Sequence, residues 1–186
     1  MRRRMIFILF FAIVLPNSGC ISSAYFFNRG EIDKKVATIA VLHFKDFNNA
    51  EGNNSGDLAR SLFEHNLLKR GFNIIEIEKI QFPESLKTKD RKDFSPEEII
   101  EIGKISGADY VVYGSVYDYK SYQSQTSFLY LFSWLELTYS VGISARMVAC
   151  KSGDVVWSGS LSRLSYSFND ATSEVCKELI RTIKFK

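Results

Sequence analysis

The stretch VATIAVLHF, residues 36–44, decides the fold of this chain. Its apolar side chains follow one another almost without interruption, whereas a strand with one face in water alternates apolar and polar residues. A continuous apolar strand is typical of the centre of a sheet that is covered on both faces. Residues 36–44 therefore predict a central strand, and the rest of the chain is interpreted outward from it.

Helix and strand patterns alternate after this strand. A loop rich in Asn and Gly leads to a first helix that ends at Gly71, and an alternating strand follows over residues 72–78. Ser95 and Glu98 form a capping box around a proline at the first helical position, which predicts a second helix that ends at Gly107.

The second half of the chain carries an antiparallel pattern. Strands are predicted over residues 109–119, 137–149 and 155–166, with a tight turn at Gly153 before the last of them. A final helix starts near Asn169 and carries an apolar stripe of Ala171, Val175, Leu179 and Ile183. The chain therefore predicts an α/β fold, a mixed parallel and antiparallel sheet with helices packed on it, in one domain over residues 36–186.

The first twenty residues carry the features of an export signal. Arg2, Arg3 and Arg4 precede the uncharged run MIFILFFAIVL, which is shorter than the roughly 20 residues of a membrane-spanning helix. The run is followed by NSG and Cys20. A small residue directly before a cysteine at this position resembles the lipobox of bacterial lipoproteins.

This resemblance implies a division of the N-terminal region and a location. Residues 1–19 would be the lipoprotein signal peptide, Cys20 the acylated residue, and residues 20–35 a lipidated tether. Ile21 stands where a signal for inner-membrane retention would place Asp, which favours an outer membrane, with the domain in the periplasm. Ordinary secretion with Cys20 as a plain thiol and an uncleaved N-terminal anchor are the two alternatives.

Charge and composition exclude several classes of protein. Loss of the three arginines with the signal reduces 24 basic residues to 21, which equals the 21 acidic ones, so no basic stripe is left to bind nucleic acid. The chain has two histidines, His43 and His65, and no Cys/His cluster, so neither a metal site nor a cofactor is predicted. Cys150 and Cys176 are interpreted as buried thiols or as a disulfide.

We find no pattern of catalytic residues. The loop GNNSGD opens a helix but lacks the lysine of a P-loop, and a plain helix cap by Asn54 or Ser55 is favoured over phosphate binding. His43 has no nearby nucleophile in the sequence and is interpreted as structural. The sequence therefore predicts a protein that is not an enzyme.

Four segments in order resemble one known family. IAVLHFKDF, LLKRGFNIIE, GADYVVYGSV and VGISARMVACKSGDVVWSG are similar to the CsgG-like group of bacterial envelope lipoproteins, which includes LpoB-like and TolB-N-like domains with an anticodon-binding-like core. The resemblance covers residues 36–183. A CsgG-type pore inserts two long hairpins per subunit, whereas this chain has room for one, around residues 119–137.

The segment SFLYLFSWLELTY, residues 127–139, is apolar on both faces when interpreted as a strand. One face carries the predicted contact residues Phe128, Tyr130, Phe132 and Trp134. Continued to residue 149, a straight strand would approach ~70 Å at ~3.3 Å per residue, so we expect it to bend, cross into a second layer or become helical. The segment is either intramolecular core or a contact with another subunit or the lipid interface.

These observations favour a non-enzymatic, lipid-anchored envelope protein that acts as an assembly, secretion-accessory or protein-binding component. Its expected partners are the membrane, through acylated Cys20, and other envelope proteins, with homo-oligomer formation as a further expectation. The alternative is a subunit of an oligomeric outer-membrane export channel of the CsgG type. An envelope enzyme is the third hypothesis, which turnover of any substrate would support.

Overall fold

The computed structural model describes residues 24–28, 32, 37–48, 54–86, 94–128 and 132–184. The strands are β1 (Tyr25–Asn28), β2 (Thr38–Val41), β3 (Asn73–Ile75), β4 (Tyr110–Phe128), β5 (Phe132–Ala149) and β6 (Val155–Ser165). The helices are α1 (Ser55–Lys69), α2 (Pro96–Ile105) and α3 (Phe168–Arg181), with short 3-10 turns at Ile77–Lys79 and Glu84–Leu86. Residues 1–19, predicted to be a signal peptide, and Cys20 lie outside the described residues.

The strands form one six-stranded sheet in the order β1-β6-β5-β4-β2-β3. β2 pairs in parallel with β3 and β4, and the remaining pairs are antiparallel. The predicted α/β class, a mixed sheet with helices packed on it, is confirmed.

The central strand is apolar throughout because both of its faces are covered. Ile39 and Val41 point into the core formed with α1 and α3, whereas Ala40 and Leu42 point into a second core formed with α2. All four side chains are at most 2% exposed. The regular strand is shorter than predicted, although the amide of Leu42 still donates to the carbonyl of Val112 (2.9 Å).

The predicted signals for both ends of α2 are confirmed, whereas the predicted start signal of α1 is not. In α2 the Ser95 hydroxyl accepts from the Glu98 amide (3.3 Å), the Glu98 carboxylate accepts from the Ser95 amide (2.6 Å), and Gly107 has φ of 74°. The predicted cap of α1 by Asn54 or Ser55 is wrong. Asn54 makes no capping bond, and Asp46 of the preceding loop accepts from the Gly56 amide (2.7 Å) instead.

The last helix packs as its apolar stripe predicts. Its stripe residues Ala171, Val175, Leu179 and Ile183 are buried against β5 and β6. Trp157, at the start of β6, is 1% exposed and donates its indole N–H to the Thr182 hydroxyl (2.9 Å). A fully buried tryptophan with its N–H satisfied contributes a large apolar area to this core.

The interpretation of residues 20–35 as a tether needs a correction. Tyr25–Asn28 form β1, the edge strand beside β6, and Ile32 is 4% exposed in the α1/α3 core. β1 lacks the usual alternation because its three aromatic side chains are all exposed at the sheet edge. The folded domain therefore begins about ten residues earlier than the boundary at residue 36.

The interpretation of residues 127–139 as one strand is wrong, because Phe128 ends β4 and Phe132 begins the antiparallel β5. The expected bend is therefore a reversal of the chain between Phe128 and Phe132. β4 and β5 are 19 and 18 residues long and pair with each other from Tyr110 and Ala149 to Phe128 and Phe132. Register shifts interrupt the regular pairing at Val116/Asp118 between β4 and β5 and at Met147/Val148 between β5 and β6. Such irregularities bend a strand and increase its local twist.

Candidate functional site

The β4–β5 hairpin extends past the rest of the sheet. β6 ends where Ser165 pairs with Tyr139, and seven further residue pairs of β4 and β5 follow, from Tyr122 with Thr138 to Phe128 with Phe132. We call these two segments, residues 122–128 and 132–138, the hairpin arm. At about 3.4 Å per residue the arm projects about 24 Å beyond its third strand.

An aromatic cluster fixes the base of the arm to the body. The ring of Phe168, the first residue of α3, stacks on Tyr119 with ring centroids 3.9 Å apart and planes 5° apart. Tyr139 contacts the same ring edge-on at 4.8 Å. On the other face of the sheet the Ser140 hydroxyl donates to the Asp118 carboxylate. The arm therefore leaves the body in a defined direction.

Exposed apolar side chains lie along the arm. Leu135 is 55% exposed, Tyr122 48% and Leu137 45%. These residues are not intramolecular core, so the core interpretation fails for this described part of the segment. An isolated two-stranded ribbon with apolar side chains is marginally stable in water. The arm is therefore a candidate contact surface.

The structure describes the four predicted contact residues only in part. The backbones of Phe128 and Phe132 pair at the end of the arm, and Trp134 pairs with Thr126. Their side chains, and the whole of Tyr130, lie outside the described residues. The contact role of these four residues stays a prediction.

The part of the sheet face opposite α1 and α3 that α2 leaves uncovered forms a second surface, which we call the open face. Strand alternation turns Ile143, Ala145 and Met147 into the core, so Ser144 and Arg146 point to the open face. β-sheet register then places Ser115, Ser158 and Ser160 beside them. Polar side chains occupy these positions because, among the described residues, no helix packs over them.

Aromatic side chains of β1 border the open face. Phe26 turns toward Leu179 and α3, as its contact across Gly159 shows, so Tyr25 and Phe27 project on the other side. Tyr25 is 74% exposed and Phe27 48%. A groove of about 220 Å³ lies between these rings and Arg146. Sequence reasoning missed this surface because only the pairing of β1 with β6 creates it.

A second cavity, of about 200 Å³, lies on the other side of Arg146. Leu42, Phe94 and Ile99 form its apolar wall, and Lys45 and Ser115 lie on its polar side. Arg146 and Ser144 line both cavities, so the two are adjacent parts of the open face. Arg146 is exposed, and its guanidinium makes no hydrogen bond with a described residue.

His43 pairs with a carboxylate of α1, and its predicted structural role stays a prediction. Its Nδ1 lies 2.9 Å from Oδ1 of Asp57 on α1, while its Nε2 is buried without a hydrogen-bond partner among the described residues. The start of α1 offers no room for phosphate, because the Asp46 carboxylate holds the Gly56 amide. A Cβ at Gly56 would lie 2.1 Å from the carbonyl oxygen of Phe44.

The two described cysteines are free and buried, one in each core. Burial raises the pKa of Cys150 to about 11, with the charge of Asp109 as a further cause, and burial alone raises the pKa of Cys176. Since the thiolate is the reactive form, both thiols are poor nucleophiles. In the described part of the chain no cluster of metal-binding side chains occurs.

Among the same residues, no helix is long and apolar enough to cross a membrane. The exposed side chains described above make the arm and the open face two candidate interaction surfaces.

No family model matches the chain, and no curated protein matches it. Solved structures do. The PelC dodecamer from Paraburkholderia phytofirmans is similar with a TM-score of 0.60 and 13% identity, over 89% of this chain and 99% of that one. Lipoprotein GNA1162 from Neisseria meningitidis has a TM-score of 0.49 and 20% identity, over 79% of this chain and 94% of that one. The C-terminal domain of LpoB from Salmonella enterica has a TM-score of 0.48 and 14% identity, over 73% of this chain and 86% of that one. The chain is similar in fold to PelC.

Proposed function

We propose that this chain is a lipid-anchored protein of the bacterial cell envelope that acts by binding other envelope proteins and does not catalyse a reaction. Acylated Cys20, after removal of residues 1–19, holds it at the outer membrane, and the domain lies in the periplasm. The lipobox-like sequence supports the anchor. Because β1 begins at Tyr25, only residues 21–24 separate Cys20 from the sheet.

The open face is the observation that carries the binding role. Arg146 lies between two cavities, and the exposed rings of Tyr25 and Phe27 lie beside it. Arginine and aromatic residues are enriched at the centres of protein interfaces, where they contribute much of the binding free energy. The two buried thiols with raised pKa, which are poor nucleophiles, favour a binding protein over a cysteine-dependent enzyme.

Site-specific photo-crosslinking tests this role. A photo-reactive amino acid at Ser160 places the probe on the open face, whereas the same residue at Ser61, exposed on α1, places it on the far side of the sheet. We expect Ser160 to give a discrete adduct with another protein in intact cells and Ser61 to give none. Equal, diffuse labelling from both positions would contradict the proposal. Mass spectrometry of the mature N-terminus tests Cys20 separately.

A second candidate is a subunit of an oligomeric outer-membrane export channel. The similarity to PelC, whose structure is a dodecamer, favours an oligomer, and the hairpin arm supplies each subunit with one projecting hairpin. Light scattering of the detergent-extracted, lipidated protein distinguishes the two. A defined large oligomer supports the channel subunit, whereas a monomer supports the protein-binding role.

A further inference from the structure

The direction of β1 relates the lipid anchor to the hairpin arm. β1 is antiparallel to β6, and β6 is antiparallel to β5, so β1 runs parallel to β5. β5 starts at the end of the arm, at Phe132. Traced backward from Tyr25, the chain therefore leaves the sheet toward the same end as the arm.

Register gives the distances. Tyr25 pairs with Ser160, which pairs with Ser144, so Tyr25 lies twelve residues of β5 from Phe132, or about 40 Å at about 3.4 Å per residue. Cys20 is five residues before Tyr25, a covalent reach of about 18 Å at most. Even if the link from Tyr25 to Cys20 were fully extended toward the end of the arm, the arm would still end about 22 Å beyond Cys20.

We infer that the hairpin arm lies in the interface of the same bilayer that holds acylated Cys20, with its exposed apolar side chains, Leu135 and Leu137 among them, in contact with the lipid. The inference rests on the proposed lipid anchor and deepens it by naming the partner of the arm. An acylated cysteine sits at the membrane surface, so a rigid element that reaches past it on the same side meets the membrane.

The chemistry of the arm fits this placement. Leu135 and Leu137 share one face of β5 and are among its most exposed apolar residues, and the arm sequence contains the aromatic residue types that favour membrane interfaces. The hydrocarbon core cannot satisfy the unpaired backbone edges of a two-stranded ribbon. The arm therefore lies along the interface and does not stand upright in the hydrocarbon.

Fluorescence quenching by brominated lipid tests the inference on the mature, lipidated protein in vesicles. The chain has two tryptophans, Trp134 in the arm and Trp157 in the core, where it is 1% exposed. Brominated acyl chains should remove about half of the total emission, since only Trp134 would lie near them. In Trp134→Phe the remaining emission of Trp157 should be insensitive to bromine.

A matched pair of variants tests the apolar side chains of the arm. Leu135→Ser with Leu137→Ser should reduce the quenching of Trp134, whereas Leu68→Ser should not. Leu68 is 50% exposed in the last turn of α1, at the opposite end of the sheet. Circular dichroism verifies that each variant is folded.

Vesicle flotation separates the two possible failures. Protein that carries acyl groups and floats, yet shows no quenching of Trp134, overturns the inference and leaves the lipid anchor intact. This includes the case in which a second copy covers the arm, which light scattering would reveal. Protein that lacks acyl groups and does not float overturns the proposed anchor together with the inference.

Discussion

Removal of the Phe168 ring should loosen the base of the hairpin arm. The ring packs against Tyr119 and Tyr139 and joins α3 to the two long strands where β6 ends. Phe168→Ala deletes both ring contacts but leaves the helix cap in place, because Ser167 still accepts from the Asp170 amide (3.1 Å). The variant therefore separates aromatic packing from helix formation.

The expected loss of stability follows from burial. Truncation of a fully buried Phe costs about 3–5 kcal/mol, and Phe168 is half-buried, so about 2 kcal/mol is expected from lost burial. Each aromatic pair adds about 0.5–1.5 kcal/mol. The free energy of unfolding should fall by about 3 kcal/mol in Phe168→Ala and by about 1 kcal/mol in Phe168→Leu, which keeps apolar volume but loses both pairs.

Urea unfolding measures the total loss in the free energy of unfolding, and amide hydrogen exchange shows which residues lose protection. We expect the amides of residues 120–125 and 135–140 to lose protection in Phe168→Ala more than the amides of β2 do. A loss below about 1 kcal/mol would refute the burial argument. Uniform loss of protection across the sheet would show that the cluster stabilises the whole domain and does not hold the arm in particular.

Three further variants test other parts of the structure. Ser95→Ala removes the capping box of α2 and should lower the free energy of unfolding by about 1 kcal/mol in urea. Gly103→Ala should cost about 1–3 kcal/mol in the same assay, because the new Cβ would lie 2.4 Å from a methyl of Val111 and 2.5 Å from Sγ of Cys150. Since folding raises the pKa of Cys150 from 9.0 to about 11, the unfolded chain releases its proton first, and the stability due to this thiol should be intact below pH 9 and lost as pH rises toward 11. Cys150→Ala should flatten this part of a pH series of melting temperatures, and an unchanged slope would contradict the argument.

Local signals determined the helices and the central strand. The apolar run that contains Ile39 and Leu42 predicted coverage on both faces, and the structure confirms it, because a strand between two cores has no side that tolerates a polar residue. Ser95 and Glu98 determined the start of α2, since a capping box uses only neighbouring atoms. Trp157, expected in a buried strand after the turn at Gly153, is buried.

Features that depend on partners far away in the sequence were not predicted correctly. Asp46 caps α1 across ten residues, and no sequence spacing identifies a cap that a loop supplies. Tyr25–Asn28 do not alternate, so only their pairing with β6 makes them a strand. The length of β4 and β5 likewise depends on each strand supplying hydrogen bonds to the other, which neither pattern reports alone.

The same distinction between local and long-range features applies to the candidate surfaces. The sequence by itself determined that residues 127–139 are too apolar for an ordinary exposed hairpin, because composition is a local property. Only the tertiary structure decided that Arg146 faces Tyr25 and Phe27, and that the start of β1 points toward the end of the sheet where the arm lies. Both facts depend on strand order and register, which arise from backbone pairing between segments far apart in the chain.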